Sequence, residues 1–225
     1  MGFDQGPRSA SDATAPDRSP AEELANGVAS ALGAVLSAAG LAVMVSRSWR
    51  HGTALHVTSA AVFGCSLLAS YSASTCYHLA RNAERKRFLR RIDHAAIFLL
   101  IAGTYTPFTL VTLRGRWGWS IFGAVWGLAL FGLLFENALR RHRRGLSVGL
   151  YLLMGWTAVV AIKPLSAALP HGGFVLLIAG GLAYTSGTAL YLLHRIPFAH
   201  FWWHLAVLAG SALHFFAVLL YVIPR

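Results

Sequence analysis

His200 and His204 stand four residues apart in Pro197-Phe-Ala-His200-Phe-Trp-Trp-His204. On a helix that spacing stacks both imidazoles on one face. Two imidazoles so placed can share one Zn²⁺, as in HExxH sites. A third ligand must come from another helix, and by depth the best placed is His78, which ends Ser74-Thr-Cys-Tyr-His78. Three neutral histidines with one open position for water form the ligand pattern of a catalytic zinc. Asp93 would then orient or deprotonate that water. Ser74, one turn before His78, is placed to hydrogen-bond the substrate or the water.

Each residue also has a plainer reading. A histidine at a membrane interface is often an amphipathic anchor, and Asp93 beside Arg90 and Arg91 can be an interfacial ion pair, worth little. Their shared side and depth argue for a joint site, and that depends on the elements that carry them. The chain has 225 residues, of which 56% are hydrophobic and only 12% charged. The charged share is about half that of a soluble domain. This excludes a disordered chain, a nucleic-acid-binding domain and an ordinary soluble enzyme, and leaves a polytopic membrane protein. Residues 1–20 form a polar tail rich in Pro, Ser, Asp and Ala, expected to be disordered. Residues 21–225 form the membrane domain. Its apolar segments number seven, roughly 24–46, 54–79, 93–113, 117–138, 146–163, 172–193 and 202–223. Each is long enough for a helix to cross a hydrocarbon core of about 30 Å. The expected fold is an all-α, seven-transmembrane-helix bundle.

The net charge is +11, and the 19 Lys and Arg cluster between apolar runs. Alternate connections carry 13 of them on one side and 6 on the other, with Arg81, Arg85, Lys86, Arg87, Arg90 and Arg91 in one cluster. The positive-inside rule puts the richer side, and the N-terminus, in the cytoplasm. Span two ends, and spans one, three and seven begin, on that side. Glu22, Glu23, Asn26, His78, Asp93, His94, His200 and His204 are thereby delivered to one membrane face. His51, His56 and His171 fall on or near the other side, His142 in a basic loop, and His194 at a loop edge. His214, ten residues beyond His204 on roughly the same helix face, reads as a buried polar residue below the site. Cys65 and Cys76 are about 16 Å apart along one helix and cannot bond to each other. The small-residue pairs Gly33/Gly40 and Gly123/Gly132 read as helix-packing positions.

Four stretches together resemble the hemolysin III and progestin/adiponectin-receptor family, the bacterial hemolysin III branch most closely. They are Glu22-Glu-Leu-Ala-Asn26, Ser74-Thr-Cys-Tyr-His78, Arg91-Ile-Asp-His-Ala-Ala-Ile97 with Ala102-Gly-Thr-Tyr-Thr-Pro107, and Pro197 to His204 continuing to His214. The resemblance spans about residues 20–220. It implies seven helices with a cytoplasmic N-terminus, a bacterial inner membrane, and zinc near the cytoplasmic face. His78, His200 and His204 match the family's zinc ligands, Asp93 its motif aspartate and Ser74 its motif serine. Family relatives and the related alkaline ceramidases suggest zinc-assisted hydrolysis of a lipid amide, with membrane lipids as substrate; the placement of the basic clusters between apolar runs argues separately against a nucleic-acid partner. One departure stands out: bacterial members usually carry a histidine four residues after the asparagine, where this chain has Ser30. That position is not among the family's zinc ligands. Competing readings are a pore-forming cytolysin, a receptor or stress sensor with structural zinc, and a proton-coupled transporter. The absence of a polar stripe along the spans argues against a pore. His214 alone near mid-membrane argues against a transporter.

Overall fold

The computed structural model describes residues 19–142, 144–192 and 196–224, with the main chain alone for 136–142, 144 and 145. Residues 1–18 of the tail, together with His194, lie outside the described residues. The helices are α1 (Pro20–His51), α2 (Ala54–Leu79), α3 (Ala83–Pro107), α4 (Gly115–His142), α5 (Arg144–Gly155), α6 (Ile162–Ala168), α7 (His171–Leu192) and α8 (Ala199–Tyr221). A π-helical stretch, Phe108–Leu113, continues α3, and a 3₁₀ turn, Thr157–Ala161, joins α5 to α6. Among the described residues there are no strands, and seven helical segments are long and apolar enough to cross a membrane. The protein is a multi-pass, all-α membrane bundle.

Three elements depart from the apolar pattern, each for a local reason. α1 begins at Pro20, inside the stretch assigned to the polar tail, because Ser19 caps it by accepting the Glu22 N–H at 3.2 Å. Pro20 suits the first helical position, and Glu22 and Glu23 suit the positive end of the helix dipole. α3 begins at Ala83, ten residues before its apolar stretch. The Asn82 side chain accepts from the N–H groups of Glu84 and Arg85, both at 3.0 Å. Arg85 to Arg91 are therefore helical and the loop before them is short, while Asp93 and His94 sit mid-helix. α4 likewise runs through His142, which the sequence pattern leaves in a loop.

The fifth span is broken. α5 stops at Gly155, and the chain passes through the 3₁₀ turn before α6 resumes. Tyr105 of α3 repairs the break: its hydroxyl donates to the Gly155 carbonyl at 2.6 Å and accepts the Ala158 N–H at 3.0 Å. Inside a bilayer, backbone groups freed from a helix need such partners.

Packing follows membrane rules. The inner face of α1 carries Gly33, Ser37 and Gly40, all buried, while Val35, Leu36 and Val43 face outward to lipid. Gly33 lies against the Tyr71 ring, Gly40 against Phe215 and Gly132 against Phe98. Gly123, read as a contact position, meets nothing within 4 Å. Cys65 and Cys76 are free and exposed on the outer surface. One core unites α1, α2, the end of span three and α8 around Met44, Phe63, Tyr71 and Val218. A second joins α3, α4 and α5 around Phe98, Val125 and Met154. Between them lies a cavity.

Candidate metal centre

α2 ends where α1, α3 and α8 begin, so residues far apart in sequence meet at one end of the bundle. His78 occupies the last turn of α2. His200 and His204 occupy the first two turns of α8, which the chain enters through Phe198 in the left-handed region (φ 57°). For a bulky residue that conformation costs roughly 1–2 kcal/mol. All three imidazoles are buried. One ring nitrogen of each lies within 4.8 Å of the other two. His78 Nε2 and His204 Nε2 are 3.0 Å apart, and the ring centroids of His200 and His204 are separated by 4.6 Å.

The far side of this cluster is supported by α1. Glu23 Oε2 accepts the Nδ1–H of His78 at 3.0 Å and the ammonium of Lys86 at 2.7 Å. Lys86 Nζ also sits 5.5 Å over the ring of Tyr77. Ser30 Oγ donates to Ser74 Oγ at 3.0 Å and lies 3.5 Å from His204 Nδ1. Asn26 shares the same α1 face, fully buried, and neither of its amide atoms meets a hydrogen-bond partner among the described residues. Such an orphaned polar group marks a place where water or an ion belongs.

The donor set fits a nitrogen-preferring ion. A tetrahedral zinc with bonds of about 2.0–2.1 Å places neighbouring ligand nitrogens about 3.3 Å apart, close to what His78 and His204 already show. Three buried imidazoles suit zinc better than magnesium or calcium, which prefer oxygen. These three histidines can therefore hold a metal ion.

Ser74, Asp93, His200 and His204 line one end of a cavity of ≈ 200 Å³. Asp93 contacts the neighbouring His94, with 3.5 Å between Oδ2 and Nδ1, while His94 Nδ1 donates to the Arg90 carbonyl at 2.7 Å. Along α3 and its π-helical continuation the cavity wall runs from Asp93 to Leu113, roughly 30 Å of helix. Deeper in, the hydroxyls of Tyr71 and Tyr184 each lie 2.9 Å from Ser211 Oγ. His214 lines the same cavity, and its Nε2–H donates to the Leu177 carbonyl at 3.1 Å. α5 and α7, which wall the cavity on one side, scarcely touch.

The structure thus brings together His78, His200 and His204, and puts Ser74 and Asp93 on the cavity beside them. Sequence reasoning gave no role to Glu23, counted Lys86 only as a topological charge, and treated Ser30 only as a departure from a pattern. The available signal was the spacing of Glu23, Asn26 and Ser30, which places three polar residues on one face of an otherwise apolar helix.

Comparison with known proteins places this arrangement in context. The family model described as "Haemolysin-III related" matches residues 19–215. Hemolysin-3 of Bacillus cereus is 43% identical over 203 residues, covering 90% of this chain and 93% of that protein. The Hemolysin-3 homolog of Bacillus subtilis (strain 168) is 42% identical, covering 90% and 95%. Monocyte to macrophage differentiation factor of Homo sapiens is 26% identical, covering 72% and 69%.

Proposed function

The chain belongs to the haemolysin III-related family, and on that footing we propose that it is a zinc-dependent hydrolase of lipid amides in a bacterial plasma membrane, its centre near the cytoplasmic face. The observation that carries this reading is the continuity of the cavity. Its polar end is lined by Ser74, Asp93, His200 and His204, and its walls then turn mostly apolar as it enters the bundle. An amphiphile fits that gradient, with its amide at the histidines and its acyl chain between the helices. Amide chemistry in particular rests on the resemblance to the family and its ceramidase relatives.

His78, His200 and His204 would hold the ion. A zinc ion bound there supplies Lewis-acid chemistry, lowering the pKa of a water to about 7 and polarising an acyl carbonyl. Asp93 is the general base and then the general acid: its carboxylate takes the proton of the attacking water and returns it to the leaving amine. Ser74 accepts the Ser30 hydroxyl, so its own proton would be available to a water or to the substrate carbonyl. The apolar walls exclude bulk water from the acyl chain.

The test is fatty-acid release from a ceramide or another N-acyl lipid by the detergent-purified protein. Wild type is expected to turn over, and His78→Ala and the His200→Ala/His204→Ala double variant are expected to lose metal and turnover together. Activity that survives with the metal gone rejects the mechanism. Metal retained in a wild type without turnover toward any acyl lipid reduces the centre to a structural one.

A further inference from the structure

We propose that Glu23 is a positioning residue for His78, held in place by Lys86, and that this Lys86–Glu23–His78 chain presets the histidine cluster to take up a metal ion. The proposal rests on the metal reading of the same site.

A neutral imidazole carries one proton, and only the other nitrogen can bind a metal. The carboxylate of Glu23 accepts from Nδ1 of His78 at 3.0 Å, so the proton is held at Nδ1. The lone pair is thereby left on Nε2, the atom that lies 3.0 Å from His204 Nε2. Without Glu23 the ring loses the acceptor that selects this tautomer, and the opposite tautomer or a flipped ring would remove Nε2 as a ligand. A carboxylate behind a ligating histidine also raises the basicity of the ligand nitrogen.

Glu23 cannot do this alone. Its side chain is 18% exposed, at the end of a helix, with water within reach. Lys86 binds the same oxygen, Oε2, at 2.7 Å and keeps the carboxylate turned inward. Lys86 is placed for this by the early start of α3: had that helix begun at its apolar stretch near residue 93, Lys86 would lie in a loop. The Tyr77 ring beneath Lys86 belongs to the residue before His78, so the lysine braces both ends of the contact. Three helices are tied at one point, and the sequence cue is the spacing of Glu23 one turn before Asn26 on the inner face of α1.

The measurement is Zn²⁺ affinity of the metal-stripped, detergent-purified full chain, titrated in competition with a chromophoric chelator. The absorption spectrum of the Co²⁺-loaded protein is a second readout of ligand geometry. Glu23→Ala is expected to weaken Zn²⁺ binding by about 10–100-fold and to alter the Co²⁺ bands, in a metal-free protein that stays folded with only a small fall in Tm. Glu23→Gln, which keeps an acceptor but not the charge, is expected to fall between. Lys86→Met is expected to give a smaller, several-fold loss, and Lys86→Arg to restore affinity. Wild-type Zn²⁺ affinity and Co²⁺ bands in Glu23→Ala overturn the proposal while leaving the metal centre intact. A wild type that takes up no Zn²⁺ overturns the centre and this role with it. Should Glu23→Ala fail to fold, Lys86→Met decides, since its side chain is 31% exposed: unchanged affinity there rejects the chain.

Discussion

A methyl group added at Gly33 would lie 2.6 Å from Cε1 and 2.8 Å from Cγ of Tyr71, and closer still to Cδ1. Tyr71 cannot easily retreat. It is 4% exposed, and its hydroxyl donates to Ser211 of α8 at 2.9 Å. Gly33→Ala therefore forces a choice between overpacking, which costs about 1–3 kcal/mol, and displacement of the ring, which forfeits a hydrogen bond worth about 0.5–1.5 kcal/mol. Against either stands the intrinsic helix preference for alanine, about 1 kcal/mol. The net expectation is a loss of up to about 2 kcal/mol, or a Tm lower by up to roughly 8 °C, which puts the variant about 1–3 kcal/mol below a glycine-to-alanine change that meets no neighbour. Gly127→Ala on α4 is the matched control, because no heavy atom lies within 4 Å of its added Cβ. It should be neutral or stabilising by up to about 1 kcal/mol. Thermal unfolding of both variants in the same detergent measures the contrast. The effect should also reach the centre, since pushing α1 from α2 lengthens the contacts of Glu23 to His78 and of Ser30 to Ser74. A Gly33→Ala protein as stable as Gly127→Ala would refute the close α1–α2 approach on which the site geometry depends.

Asp93→Asn is expected to keep its metal and lose roughly 10²–10⁴-fold in turnover; metal analysis beside kinetics checks this, and loss of the metal as well would make Asp93 a ligand instead of a proton carrier. Tyr105→Phe should destabilise the protein by about 1–3 kcal/mol, because the Gly155 carbonyl and Ala158 N–H of the broken fifth span lose their shared partner; an unchanged melting curve would count against that repair. Ser30→Ala should cost about 1 kcal/mol by removing the donor to Ser74, read as a small fall in Tm with the metal retained.

Much of the site was legible because its signals are strong in an apolar chain. Histidines are rare inside spans, so a pair four apart stands out, and alternation of the spans puts His78 on the same face. The all-α bundle followed from the length of the apolar segments. What escaped was set by partners that hydropathy does not weigh. The start of α3 is fixed by the side chain of Asn82, not by apolarity. At the interruption of the fifth span near Gly155, Tyr105, some 50 residues earlier, satisfies the Gly155 carbonyl and the Ala158 N–H. Glu23 reads in sequence as an acid favouring a helix start; its contact with His78 requires α1 and α2 to pack closely, which depends on Gly33 and Tyr71. Ser30 shows the same limit. The resemblance made it an expected histidine; in the fold it is a buried hydroxyl set between Ser74 and His204.

Metal content shows directly whether His78, His200 and His204 hold one metal ion. Freshly purified, folded wild type should carry one zinc per chain, and His204→Ala, purified alongside, should carry none. A folded wild type without metal, or a His204→Ala protein that retains a full equivalent, would contradict a three-histidine metal centre.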